Sequence, residues 1–391
     1  MAVQLASPSA TLLDGVPVTR NSVDPVYARI VMCLVVIGIV FVFSASFPTA
    51  QTLLYGTHPL YFLYRQLAFA GLGLVAMIAL AYVGPRCLVS DGVLGVASAL
   101  GLLAMILCRF GPFADETAGS ACWLRLSEGV RIQPSEFVKL VYILLLARIL
   151  ARPVDKRYTL LHMLGRVSGA LGVFLIALLF LQKDLGMSLL VVGVTLSMLF
   201  IRGFSLLLVS ALAGCGGLVG VVYAMSSPAR WQRIETFLNS DSNRLDGGYQ
   251  LCQMLATLAR GGICGLGLGM SPDKWGPLPA PHTDSIFCVI GGELGLAGGV
   301  GLLLMFLWLA GRTFKIAERA AVPTAWYMGC GIGVMLGLQA LINIAVATVS
   351  VPCTGLTLPF ISYGGSSLLS SMMAAGIVLS ISRYKPLERE E

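Results

Sequence analysis

Apolar runs long enough to cross a bilayer recur along almost the whole chain, separated by short polar stretches. A spanning helix needs about 20 mainly apolar residues. Runs of that kind fall near 28–47, 66–83, 88–108, 134–151, 167–182, 185–201, 205–225, 284–310, 325–346 and 357–382. The pattern predicts an all-α fold, a polytopic membrane helix bundle of about ten transmembrane helices. No polar block within 28–382 is large enough for a separate soluble domain, so that range reads as one transmembrane domain. A tail over 1–27 precedes it and a tail over 383–391 follows. The first run comes after more than two dozen mainly polar residues and lacks a small-residue cleavage site, which marks a retained helix rather than a signal peptide.

Composition supports the same class. Hydrophobic residues make up 57% of the chain and charged ones 12%, with a mean hydropathy of +0.86, far too apolar for a soluble globule. The ten cysteines stand singly, without the paired spacing of zinc or redox sites. The net charge of +7 is spread over the loops and favours membrane lipids with anionic head groups, or phosphate-bearing ligands. No aromatic-basic ladder points to nucleic acid.

Arg148, Arg152, Lys156, Arg157 and Arg166 crowd the loop between the fourth and fifth runs, and Arg312, Lys315 and Arg319 follow the eighth. With these loops inside, an even number of spans puts both termini in the cytoplasm. Two long loops then face outward, 109–133 and 226–283, the latter a large extracytoplasmic loop between helices seven and eight. It carries Trp231, Phe237, Tyr249, Leu251, Leu255 and Trp275, so it is expected to fold against the membrane surface, with part of Tyr249–Arg260 as an interfacial helix. Gly291, Gly295 and Gly299, and then Gly329, Gly333 and Gly337, mark faces for close helix packing. The run Gly261–Gly269 lacks the preceding strand and Lys-Ser/Thr ending of a phosphate loop.

The chemistry concentrates around Pro279-Ala-Pro-His-Thr-Asp-Ser-Ile-Phe287, where His282 and Asp284 meet the start of a long apolar run. An ionisable group so close to lipid is a functional candidate. Read alone, Asp284, or Thr283 before it, caps the helix that follows. His282 can position Asp284, titrate near neutral pH, or make a local hydrogen bond. Glu136 and Lys139 lie three apart on one helical face, as a structural ion pair or as a phosphate-binding pair. Lys274, Arg233 and Arg244 are further cations of the same loop. Asp184 follows Lys183, which is the simple source of its neutralisation, and Ser366 sits among glycines as either a packing or a cavity residue.

Several strings together resemble the SEDS family of bacterial membrane proteins, which includes FtsW in division and RodA in elongation. They are Gln133-Pro-Ser-Glu-Phe-Val-Lys139, Gln182-Lys-Asp-Leu-Gly186, Gly248-Tyr-Gln250, His282-Thr-Asp284, Gly291-Gly-Glu-Leu-Gly295, Gly337-Leu-Gln-Ala-Leu-Ile-Asn343 and Pro359-Phe-Ile-Ser-Tyr-Gly-Gly-Ser-Ser367. They occur in the family's order from about Gly119 to Ser380. Lys274 and the stretch Gly355-Leu-Thr-Leu-Pro359 lean toward FtsW. The sequence departs from the usual pattern at Cys122, Lys183 (for Pro), Ala280 (for Glu), Gly292 (for Glu) and Ala347 (for Asn).

The resemblance implies a ten-helix peptidoglycan glycosyltransferase of the bacterial cytoplasmic membrane that polymerises lipid II into a growing glycan strand at the outer face. A class B penicillin-binding protein and other division or elongation membrane proteins are the implied partners. Such a reaction needs a base for a sugar hydroxyl and cations for a departing diphosphate. Under the resemblance Asp284 is that base, and Lys139, Glu136, Lys274, Arg233, Arg244, His282, Asp184 and Ser366 are the candidate substrate-binding set. No cofactor is required by the sequence. A divalent cation, Mg2+ or Mn2+, fits the chemistry as a diphosphate shield, without a carboxylate cage to hold it. The alternatives are a flippase for lipid-linked precursors and a non-enzymatic scaffold for the cross-linking partner.

Overall fold

The computed structural model describes residues 10–13, 16–20, 22–53, 59–111, 114–117, 120–127, 130–154, 159–238, 248–276 and 278–386. The helices are α1 (Pro25–Leu53), α2 (Tyr61–Tyr82), α3 (Pro85–Leu88), α4 (Asp91–Phe110), α5 (Pro134–Leu150), α6 (Leu160–Ile176), α7 (Leu185–Ile201), α8 (Leu206–Met225), α9 (Pro228–Leu238), α10 (Tyr249–Gly261), α11 (Ile286–Glu318), α12 (Pro323–Ala347) and α13 (Gly365–Arg383). A wider-wound π turn, Ala177–Gln182, prolongs α6. Each expected apolar run coincides with one of these helices. Among the described residues eight helices are long and apolar enough to cross a membrane. The helices α5 and α7, 17 residues each, occupy the other two expected positions at the short end of the spanning range. The chain is a multi-pass membrane protein.

Helix starts follow local chemistry. Pro134 and Pro323 open α5 and α12 at a position where the missing N–H costs nothing. Ser90, Thr159, Asp184 and Ser205 each accept a first-turn N–H with their side chains. Inside the bundle, α5, α7, α12 and α13 bury most of their side chains, whereas α8 buries Ala224 alone. Leucines, valines and isoleucines on α2, α4, α6 and α8 remain uncovered by protein, as a lipid-facing surface requires.

The structure corrects the expected elements in four places. The eighth span starts at Ile286, runs to Glu318 and is broken at Gly295, whose backbone (φ 69°, ψ −168°) is open essentially to glycine alone. The break is stitched by the glycine run after α10. Gly292 and Glu293 carbonyls accept from Leu266 N (3.1 Å) and Gly267 N (2.9 Å), while Leu296 N and Ala297 N donate to Gly262 O (2.9 Å) and Ile263 O (3.2 Å). Gly295 is therefore a break in the helix rather than a step on a packing face. Along α12 the expected face holds: a Cβ on Gly329 would meet the Ala317 Cβ at 2.8 Å.

The tenth span begins at Gly365 rather than 357. Gly355 (φ 70°), Pro359 and Phe360 (φ 65°) keep 353–364 out of a helix. This non-helical stretch dips into the bundle, where a Cβ on Gly38 would meet Phe360 O at 2.4 Å. Such backbone is tolerated at that depth because protein groups satisfy it. Asn343 and Gln339 amides donate to Leu356 O (2.7 Å) and Thr357 O (2.9 Å).

The expected tails are not plain tails. Helix α1 already begins at Pro25, and β1 (Ala10–Leu13), β2 (Val16–Arg20) and β6 (Tyr384–Pro386) form an antiparallel sheet that joins the two ends of the chain. A second small sheet, β3 (Ala114–Thr117), β4 (Ser120–Ser127) and β5 (Val130–Ile132), occupies the 109–133 loop. The 226–283 loop contains α9 and α10, and α10 is the expected helix at Tyr249–Arg260.

The described segments before α1 and after α13 lie at one end of the bundle. Asp24 there accepts from Arg312 (2.6 and 3.2 Å), and Arg148 donates to Val89 O and Asp91. Cavities of about 360 and 460 Å³ lie at this basic end, lined by Arg312, Lys315 and Arg319 and by Arg86, Arg148 and Arg152 respectively. The segments before α5, α7, α11 and α13 meet at the other end.

Candidate functional site

At that other end the loop before α11 is shaped by its own carbonyls. Ala280, in the left-handed region at φ 47°, accepts from Thr283 N (3.2 Å) and Ser285 N (3.4 Å). Tyr363 N donates to His282 O and Ser362 Oγ to Thr283 O, each at 2.8 Å, and Asn343 Nδ2 lies 3.5 Å from Asp284 O. The backbone around Asp284 is thus held by α12 and by the non-helical stretch before α13. Its carboxylate is left over. Ser285 is the N-cap of α11 and makes no side-chain cap bond, so neither Asp284 nor Thr283 caps the helix. Among the described residues nothing hydrogen-bonds the Asp284 carboxylate. Burial pushes it above the ordinary carboxylate range, and the Arg233 guanidinium on α9 pulls it partly back.

The His282 ring packs between Phe62 and Tyr363, with centroids 4.8 and 5.5 Å away, and its Nδ1 is buried without a partner. Burial lowers its pKa to about 4, so it stays neutral at physiological pH and does not titrate near neutrality. The ring contacts and its carbonyl anchor the loop.

Lys183 is not among the charges that act on Asp184, and its backbone is left-handed (φ 58°), a conformation that the family's proline cannot adopt. Instead Asp184 caps α7, accepting Met187 N at 2.9 Å, and also accepts Gln133 Nε2 at 3.3 Å. Burial raises its pKa to about 6. The Met187 N–H lowers it, Glu136 raises it, and Lys139 and Arg233 lower it. Arg233 therefore acts on both Asp184 and Asp284.

Glu136 and Lys139 form an ion pair at 2% exposure each. Lys139 Nζ also donates to Gln339 Oε1 (2.9 Å), and Ser370 Oγ donates to Glu136 (2.8 Å). The pair lies in the first turns of α5, inside the bundle. Ser366 accepts Gln133 N (3.0 Å) and is buried, so it holds the start of α5. Lys274 is buried against Glu293 at 2.9 Å and donates to Ser44 Oγ at 2.9 Å. Arg244 lies outside the described residues. Gln133, Gln339, Asn343, Tyr363 and Arg65 escaped individual notice. The first four stand inside the quoted strings, while Arg65 lies just before the expected second span.

A carboxylate within the electrostatic reach of a cation, at one end of a polytopic helical bundle, defines a membrane protein with polar chemistry at one rim. The chain belongs to the FtsW/RodA/SpoVE family, described as "Cell cycle protein", which it matches over residues 25–387. It is 36% identical over 369 residues to the stage V sporulation protein E of Bacillus subtilis (strain 168), covering 93% of this chain and 98% of that protein. It is 37% identical over 367 residues to the "Probable peptidoglycan glycosyltransferase FtsW" of Coxiella burnetii, covering 90% and 95%. Among solved structures, the Thermus thermophilus rod shape determining protein RodA superposes with a TM-score of 0.64 at 27% identity, over 92% of this chain and 97% of that one. A chain from a study of the "Structural coordination of polymerization and crosslinking by a peptidoglycan synthase complex" does so with a TM-score of 0.71 at 28% identity, over 92% and 98%.

Proposed function

We propose that the chain is a peptidoglycan glycosyltransferase that polymerises lipid II, with Asp284 as general base. The observation that carries this is the Asp284 carboxylate itself, desolvated, spared from helix capping and acted on by Arg233. The raised pKa makes it a stronger base than an exposed carboxylate. In the reaction the acceptor hydroxyl oxygen bonds to the donor's anomeric carbon and its proton passes to Asp284. The bond from that carbon to the polyprenyl diphosphate breaks, and the diphosphate leaves with the electron pair. Arg233 is the cation best placed to meet that charge. A divalent cation carried on the diphosphate, Mg2+ or Mn2+, would shield its charge.

The basic end, where the segments before α1 and after α13 pair, is the cytoplasmic one on the positive-inside rule. Asp284 then faces outward, where a class B penicillin-binding protein can cross-link the product. The solved complex of polymerisation and cross-linking supports such a partner. Purified protein, its partner and lipid II provide the test. Wild type makes glycan strands and Asp284→Asn does not. Strands made at the wild-type rate by Asp284→Asn reject the base, and movement of labelled lipid II across vesicles without polymer rejects the polymerase in favour of a transporter.

A further inference from the structure

The coupling reaction brings two lipid-linked diphosphates together, yet Asp284 feels only one cation. The donor's diphosphate is bonded to the reacting carbon and must lie near Asp284, which suits Arg233. The acceptor's diphosphate is not broken. It sits on the far sugar of its own disaccharide, away from the attacking hydroxyl, and needs a cation outside Asp284's immediate field. One such cation is present at the same end of the bundle. Arg65 Nη1 donates to Tyr61 Oη at 2.7 Å, and its guanidinium lies 5.3 Å from the Tyr61 ring centroid. Among the described residues that phenol is its only hydrogen-bond partner, leaving most of the planar donor fork free.

The surroundings tie Arg65 to the Asp284 loop. Phe62, one turn before it, stacks on Tyr363 (5.1 Å) and His282 (4.8 Å), and Tyr363 N holds His282 O at 2.8 Å. Arg65 and Tyr61 are hydrogen-bonded, and the Tyr363 ring packs on Phe62 within the electrostatic reach of both. Arg65 is half-buried, and its neighbours Tyr64 and Leu67 are exposed on the lipid-facing side of α2, where a polyprenyl tail would run. A rigid guanidinium beside a phenol recognises phosphate oxygens by charge-assisted hydrogen bonds.

We propose that Arg65, with Tyr61 and Tyr363, binds the diphosphate of the acceptor lipid-linked saccharide, as a second anion site distinct from the leaving-group cation Arg233. This rests on the glycosyltransferase reading, so the test reads binding rather than turnover. Fluorescent lipid II is titrated into Asp284→Asn protein in nanodiscs of neutral phosphatidylcholine, and again with anionic phosphatidylglycerol added. Arg65→Ala is expected to weaken binding about tenfold in both bilayers, the loss of a charge-assisted contact. Tyr363→Phe is expected to weaken it a few fold and Arg65→Lys to restore part of it. In the Asp284-intact protein, Arg65→Ala raises KM for lipid II with little change in kcat, whereas Arg233→Ala lowers kcat.

Unchanged lipid II affinity in Arg65→Ala overturns the proposal. So does a loss confined to anionic bilayers, which makes the site a general phospholipid contact. If Arg65→Ala does not fold, Arg65→Lys and Tyr363→Phe carry the test, and wild-type affinity in both overturns it. Failure of Asp284→Asn to stop polymerisation sinks the base and leaves this comparison intact, while failure of wild type to bind lipid II at all sinks the enzyme reading.

Discussion

Lys274→Met isolates the interaction that secures the broken helix beneath Asp284. Lys274 and Glu293 approach to 2.9 Å with side-chain exposures of 4% and 0%. At an effective dielectric of about 20 two unit charges at that separation attract by roughly 6 kcal/mol, most of which offsets their desolvation. Removing one partner of such a pair costs about 3–5 kcal/mol because the other charge stays buried. Glu293 keeps Ser44 Oγ (2.7 Å) and Gly269 N (2.9 Å), so the lower end applies, about 3 kcal/mol. The double variant Lys274→Met/Glu293→Gln removes both charges and should lie within about 1 kcal/mol of wild type. Unfolding in nanodiscs, followed by fluorescence of the adjacent Trp275, yields the double-mutant cycle. Single losses that add in the double variant to within about 0.5 kcal/mol would show that the two charges do not stabilise one another, and the reasoning would be wrong.

The remaining expectations concern the rim and the helix break. The acid limb of kcat/KM lies above the ordinary carboxylate range of about 4, because activity is lost as pH falls through the raised pKa of Asp284; Arg233→Ala removes the charge that lowers it and moves the limb to higher pH. A downward move in the pH–rate profile of that variant contradicts the assignment. His282→Asn leaves the profile between about pH 5 and 8 without a new or missing limb, since the native ring titrates near 4; loss of a limb in that window would mean that the imidazole ionises in turnover. Gly295→Ala costs more than about 3 kcal/mol, because a Cβ would meet Gly265 N and Ile263 O at 2.4 Å on backbone closed to alanine, and thermal stability in detergent reads it directly.

Period and length of the apolar runs sufficed to locate the eight described helices long and apolar enough to span, because lipid forces each span to satisfy its own backbone and leaves a long apolar signature. The motif strings likewise led to the His282–Asp284 loop and to the Glu136–Lys139 pair, since charge so near a membrane stands out against an apolar background. What the strings did not convey was the use of each charge. Whether Lys274 meets phosphate or Glu293, whether Asp184 answers Lys183 or the first turn of α7, and whether Asp284 caps α11 are all decided by which segments, distant in sequence, arrive at the same place. The break at Gly295 belongs to the same class. A glycine in an apolar run is compatible with a straight helix, and only the docking of Gly262–Gly267 against it makes the interruption favourable. Chain composition and periodicity thus determined that this protein spans a membrane and where its polar residues cluster. Tertiary packing alone decided which of those polar groups are already hydrogen-bonded or paired, and so which remain free to meet a substrate.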